Sequence, residues 1–366
     1  MANNRIYYAI QQVSLGAVGE TMTTIHGLQS VGVTTNFNLE QVFEMGQLAI
    51  YQNIEGIPDI EVTLNKVLDG YPLIYVLATE KGSSVQNGLT AVNPTIPGRQ
   101  NARTDMQLAV YSDTNVAASG NSFNAVTCSG MYVSSVSYTF PVDGNFTEDV
   151  TLVGNNKVWS TSAIAGSFSG NNDEPLATQG VGRRQYLDMA NSRFPTQIPG
   201  IGATGTNVAI GGGSGYGAHF QNITVSCDFG REAIQELGTF APYHRYVTFP
   251  VEVTSEFEVI AISGDMINAT ESGYYTGLTG TTVSSGDEGA CGARHNLIDQ
   301  TIFLMTCEGT KIYLGTKNKL TSVNYNGGDT GGGNVSVTYS FSTFNDFVVA
   351  HSGGDFYANV TATGVI

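Results

Sequence analysis

The side chains able to do acid–base or nucleophilic chemistry are few and scattered. The five histidines, His26, His219, His244, His295 and His351, show no H-E-x-x-H or similar ligand spacing. The four cysteines, Cys128, Cys227, Cys291 and Cys307, form no C-x-x-C pair. They read as reduced, buried, small apolar residues rather than a zinc site or a disulfide framework. No G-x-S-x-G elbow occurs. Gly200–Gly205 (GIGATG) matches G-x-G-x-x-G, but RFPTQIP precedes it and a glycine-rich stretch follows. A dinucleotide site needs a strand before and a helix after, so this segment reads as a loop. Asp143, Asn145, Thr147 and Asp149 alternate like calcium ligands. Glu148 stands where such a loop needs Gly, and Gly154 stands where it needs a bidentate Glu. That segment reads as a hairpin tip. The paired carboxylates of a glycan hydrolase are marked by no motif. The five Asn-x-Ser/Thr sequons, at Asn145, Asn222, Asn268, Asn334 and Asn359, read as compositional. No catalytic, cofactor-binding or metal-ligating residue is assigned.

Composition explains this poverty. Of 366 residues only 13% are charged, 45 are Gly, and Lys plus Arg total 15. That suits short strands joined by turns, not a helical bundle. The net charge of −16 opposes a basic nucleic-acid site. Residues 1–183 carry 7 basic and 15 acidic groups and residues 184–366 carry 8 and 16, so each half is −8. No apolar run reaches the ~18 residues of a membrane span. The opening MANNRIYYAIQQVSLG lacks a signal-peptide core, so a cytoplasmic site of folding is expected.

The elements that must position any site are predicted to be strands. Alternation marks Ile60–Leu68, Met131–Phe140 and Thr147–Gly154 in the first half. In the second half it marks Asn222–Cys227, Val247–Ile262, Leu320–Tyr325 and Val335–Phe344. Leu73–Ala78 is expected as a short apolar strand. Asp143-Gly144 signals a hairpin turn. Two short helices are expected, Leu39–Leu48 and Arg231–Leu237. Asn38 and Gln41 have capping spacing, and Gly46 and Gly238 serve as stops.

An internal duplication organises these elements. Val31–Tyr51 aligns without gaps to Ile223–Tyr243 at an offset of 192, with 7 of 21 positions identical. Those include Phe37/Phe229, Glu40/Glu232, Glu44/Glu236, Gly46/Gly238 and Tyr51/Tyr243. Pro58/Pro250 extends the match, and an Glu-Val-Thr triplet follows each proline. Val133–Tyr138 (VSSVSY) resembles Leu320–Tyr325 (LTSVNY) at an offset of 187. The expected organisation is a first domain at 1–166 with an insertion at about 79–123, a Gly/Pro/Asn-rich connection at 167–217, and a second domain at 218–366. The acidic pairs recur, which hints that a Lys or Arg from elsewhere faces them.

Residues 29–72, 134–159 and 223–261 resemble tail tube (major tail) proteins of tailed bacteriophages. The resemblance implies an all-β fold with minor α. Two tandem β-sandwich domains would each carry a short helix and a long hairpin that joins an inter-subunit β-barrel. It implies a structural virion protein with no catalytic residues. Its stacked rings would conduct viral DNA through the lumen without specific binding, beside other tail proteins, after assembly in the host cytoplasm. The hairpin holding Tyr138, Asp143, Gly144 and Asn145 would be the ring element. Family rings hold six fold units, so three chains would form a pseudo-hexameric ring. Six chains, each with one half outside the wall, are the alternative. A tube-initiating, baseplate-hub or terminator protein is a second reading, and a surface-layer-like β-sandwich a third.

Overall fold

The computed structural model describes residues 5–79, 95–111, 122–161, 178, 180–207, 217–261, 297–328, 333–354 and 356–365. Cys291, His295, Asn268, most of the expected insertion and parts of the expected connection lie outside them. In chain order the strands are β1 (Gln11–Ala17), β2 (Thr23–Thr24), β3 (Leu28–Asn36), β4 (Leu39–Phe43), β5 (Ile50–Glu55), β6 (Asp59–Val67), β7 (Thr104–Tyr111), β8 (Ser122–Pro141), β9 (Thr147–Gly154) and β10 (Asn156–Ser160). There follow β11 (Phe220–Asp228), β12 (Glu232–Ile234), β13 (His244–Tyr246), β14 (Glu252–Ile260), β15 (Phe303–Met305), β16 (Thr310–Tyr313), β17 (Lys319–Asn326), β18 (Ser336–Phe344), β19 (Val348–His351), β20 (Val360–Thr361) and β21 (Gly364–Val365). The helices are α1 (Ile74–Thr79) and α2 (Ile96–Arg99). The protein is all-β with minor α, as its composition implies.

Two compact units interleave along the chain. The first holds Met1–Ser137, Thr147–Gly180 and Asp228–Val251; the second holds Tyr138–Phe146, Val181–Cys227 and Glu252–Ile366. The twenty-residue β8 therefore contributes its first sixteen residues to one and its last four to the other.

In the first unit, β2, β1, β7, β8 and β10 are neighbours in that order, and β8, β9, β6 and β3 form a second run. The inward set of β6 is Ile60, Val62, Leu64 and Lys66, and that of β9 is Glu148, Val150 and Leu152. Period-two alternation is what a sheet with one buried face requires. α1 lies against β1 and β9. The apolar run Leu73–Ala78, expected as a strand, is helical instead. A short apolar run has no readable period. Here Glu148, fully buried, accepts the N–H groups of Ile74 (2.7 Å) and Tyr75 (3.2 Å), which have no partner inside the helix. Glu148→Ala should orphan both, at about 1–3 kcal/mol each. Urea unfolding checks this, and a change under about 1 kcal/mol would remove Glu148 as the anchor of α1.

In the second unit the order is β17, β18, β14, β11 and the end of β8. Phe194, Phe220, Phe257 and Phe341 link ring to ring along its core, with centroids 4.8–6.4 Å apart. A small sheet, β15-β16-β19, buries Phe303, Tyr313, Val348 and Ala350 with Val360 of β20.

The duplication is present in the strands. β3 transposed by 192 is β11, residue for residue. Thr35 pairs with Ile60 and Val31 with Leu64; Cys227 pairs with Val253 and Ile223 with Phe257. Thus β6 maps onto β14 at an offset of 193, one residue having entered the second connecting hairpin. The Glu-Val-Thr triplets sit two residues out of this structural register, which preserves the face each residue presents. β9 and β18 then occupy the same place beside β6 and β14. The order β8-β9-β6-β3 repeats as β17-β18-β14-β11.

Candidate assembly interface

Between the first two strands of each repeat stands a hairpin. Both segments expected as helices are strands: β4 pairs β5, and β12 pairs β13. Every residue of β5, and all of β4 but Val42, is exposed. A helix gains its stability chiefly from a face packed on a core, and among the described residues no core covers this one. Its Val, Phe, Ile and Tyr residues favour a pleated strand. Asn38, expected to cap, takes φ 44° and donates its amide to the Ile57 carbonyl (2.9 Å) and Asp59 Oδ2 (2.8 Å), pinning the hairpin base. Gly46 and Gly238 do hold positive φ, 102° and 89°, but at hairpin turns rather than helix ends.

Phe37, Leu39, Phe43, Met45, Leu48, Ile50, Tyr51 and Ile54 are exposed around the first hairpin; Ile234, Leu237, Phe240 and Tyr243 are exposed on the second. Glu40, Glu44, Glu232 and Glu236 are exposed among them. Glu44 accepts from Gln47 Nε2 (2.8 Å). Pro58 and Pro250 sit just before β6 and β14. So many large apolar side chains on one element mark an interaction surface.

The base of the second hairpin is clamped in the first unit. Arg231 donates through Nε to the Val133 carbonyl (2.8 Å) and through Nη1 to the Gln100 carbonyl. Its guanidinium lies 5.2 Å from the Tyr132 ring centroid and 5.9 Å from that of Phe229. Burial pulls its pKa down to about 10, opposed by Tyr75 and Tyr132. Phe229 is buried and stacked on Tyr75 at 6.2 Å. Arg245 pairs with Asp59 and donates to Asn155 Oδ1 (3.2 Å). Repeat position 231 corresponds to Leu39 in the first copy, and that mismatch is the sequence signal that could have exposed the clamp.

This base should loosen in acid. His244 Nδ1 accepts from the Arg245 N–H (2.8 Å) and lies 2.7 Å from the Tyr132 hydroxyl. Burial, then the charges of Arg103 and Arg231, hold its pKa below the ordinary value. Burial alone would raise the Asp59 carboxyl, but hydrogen bonds from Asn38 and Arg245, the Arg245 charge and Asn155 hold it low. Both folded pKa values are depressed. Their stabilisation is present above the unfolded values and is lost as pH falls, first below about 6.5 for His244, then below about 4 for Asp59. Amide exchange at His244–Tyr246 should quicken stepwise between pH 7 and 3, relative to the intrinsic rate. Unchanged protection would refute this.

The turn at Asp143-Gly144 connects β8 to β9, and Gly144 holds φ 126°. Val142 N–H donates to the Gln221 carbonyl (2.8 Å), Phe146 N–H to the Gly182 carbonyl (2.8 Å), and Arg183 Nε to Asn145 Oδ1 (3.2 Å). Tyr138 is buried. The tip is thus tied within its own unit, while the duplicated hairpins stand out. GIGATG is a loop closed by an Ile201–Asn207 bridge. Cys128 and Cys227 are buried, and burial pushes the Cys128 thiol up to about 11; Cys307 is exposed. Among the described residues, no cluster of three His, Cys, Asp or Glu could hold a metal ion, and no helix is long and apolar enough to cross a membrane.

No family model matches the sequence, and no curated protein does. Among solved structures, the chain is similar to three components of contractile injection machines. One is from the sheath–tube complex of an extracellular contractile injection system in its extended state: 14% identity, 44% of this chain, 94% of that one, TM-score 0.30. Another is the tube-terminating cap of the anti-feeding prophage: 14% identity, 44% and 95% coverage, TM-score 0.31. The third is the sheath/tube terminator of the first system: 16% identity, 44% and 99% coverage, TM-score 0.31. At TM-scores this low the likeness carries no argument about this chain.

Proposed function

We propose that the chain is a non-enzymatic wall subunit of a phage-tail-like tube, three copies closing a ring of six repeated β-modules. The observation that carries this reading is the repetition of one strand order, β8-β9-β6-β3 and β17-β18-β14-β11, within a single chain. A β-module repeated in tandem is suited to a closed sheet, which leaves no edge to aggregate. The sequence resemblance to tail tube proteins supports it, as do the exposed apolar hairpins, one per module. With Lys and Arg totalling 15 in 366 residues, a wall of these modules offers few sites to retain phosphate, so DNA would pass without capture.

Negative-stain imaging of the purified full chain tests the reading. Stacked rings or tubes with a central channel are expected. Single rings that never stack would move the chain to a tube end, and monomers at every concentration would overturn the proposal.

A further inference from the structure

We infer that β3 of one chain pairs antiparallel with β17 of the next, in the register that β11 keeps with β8 inside the chain. This rests on the ring reading above and names its joint.

The repeat supplies the geometry. β3 and β11 are equivalent strands, as are β17 and β8. Among the described residues, β11 has a neighbour on each side, β14 and β8, whereas β3 pairs only with β6 and β17 only with β18. Within the second unit Val142 N–H donates to the Gln221 carbonyl, and within the first Phe229 N–H donates to the Ser134 carbonyl, both at 2.8 Å. Those two bonds fix an antiparallel register. Carried over by the offsets of 192 and 187, Phe37 of one chain falls opposite Thr321 of the next, and Val33 opposite Tyr325.

Burial supplies the second argument. Ile223 and Val225 on β11 are buried, while their counterparts Val31 and Val33 on β3 are only half-buried. Phe229 is 3% exposed and Phe37 63%; Tyr138 is 0% exposed and Tyr325 48%. The same residue types recur with the cover missing. Neither edge carries the usual protection: β3 has no charged residue or proline, and β17 has only Lys319. A long, uncharged edge holding Val and Tyr is an aggregation hazard unless a second copy covers it.

The test uses the full chain with Cys291 and Cys307 replaced by Ser, carrying Val33→Cys and Tyr325→Cys together. After assembly and mild oxidation, non-reducing electrophoresis should convert most chains to one covalent trimer. A control carrying Val33→Cys with Asn326→Cys, whose side chain points to the opposite face, should cross-link at least tenfold less. Tubes without cross-linking above that control would overturn the β3–β17 joint and leave the tube reading standing. A covalent hexamer would keep the joint but overturn the three-chain ring. A parent chain that never assembles would overturn both. Should the double variant not assemble, amide exchange on the unaltered protein decides: β3 and β17 should slow at least tenfold on assembly, and unchanged rates in assembled particles would refute the joint.

Discussion

Asp69→Ala should be among the most destabilising single changes in the first unit, lowering its stability by about 3–5 kcal/mol. Lys66 lies on the inward face of β6 and is fully buried. Its Nζ donates to the Val67 carbonyl (2.9 Å) and pairs with Asp69 Oδ1, itself buried. His26, stacked on Tyr71 at 4.2 Å, closes the site near Gly27. A Cβ at Gly27 would come within 2.3 Å of Asp69 Oδ2, so the chain leaves room there for the carboxylate. Removing Asp69 strands an ammonium group in a dry interior, and that uncompensated charge is the cost. Replacing both partners, as Lys66→Met with Asp69→Ala, should regain most of the loss, since a buried pair itself contributes little net stability. Urea midpoints of the two single variants and the double one check this. A single-variant loss below about 1 kcal/mol, or a double variant no better than Asp69→Ala, would show that the pair is not isolated from water.

Much of the sheet was legible in the sequence because alternation is a direct image of burial. β6, β9, β14 and β18 each bury every second side chain, and their apolar residues fall on that face. The duplication was legible for a similar reason. Phe, Glu, Gly and Tyr recur at one offset because two copies of a strand–hairpin–strand need turns and faces at equal intervals. Lys66 and Glu148 broke the pattern: both sit on inward positions and are satisfied by partners from a neighbouring turn and a helix start. No pairwise rule on the sequence could have supplied those partners.

The sequence of the hairpins reads as helical for a physical reason. Leu39–Leu48 and Arg231–Leu237 carry apolar residues without strict alternation, which resembles a helix stripe facing a core. Both faces of the β4–β5 pair are exposed in the single chain, so no face was selected for polarity. A segment with no face turned to a core has no reason to alternate. The same gap hid Phe37: sequence alone equates it with Phe229, and only the structure shows one buried and the other bare.

Replacing the apolar tips of both hairpins should therefore abolish tube growth while leaving the chain folded. In the variant Met45→Ser, Leu48→Ser, Leu237→Ser and Phe240→Ser, none of the four side chains supports the monomer: Met45, Leu48 and Leu237 are fully exposed and Phe240 is 66% exposed. Unfolding midpoints should shift by under about 0.5 kcal/mol, as for surface changes generally. Burying each large apolar side chain against a neighbour is worth about 1.5–3 kcal/mol, and every 1.4 kcal/mol is tenfold in affinity. Four such losses per chain, multiplied over three chains, exceed what a ring-to-ring contact could absorb. The first hairpin continues from the end of β3, but Met45 and Leu48 lie at its tip, beyond the Val33–Phe37 stretch carried into the β3–β17 joint, so lateral closure should survive. The expected particle is a single ring that sediments near three chains and does not stack. Full-length tubes from this variant would assign the exposed apolar tips to something other than stacking. Monomers alone would make the hairpins part of the lateral joint, and the β3–β17 cross-link on the parent chain would separate that outcome from a failure of the edges themselves.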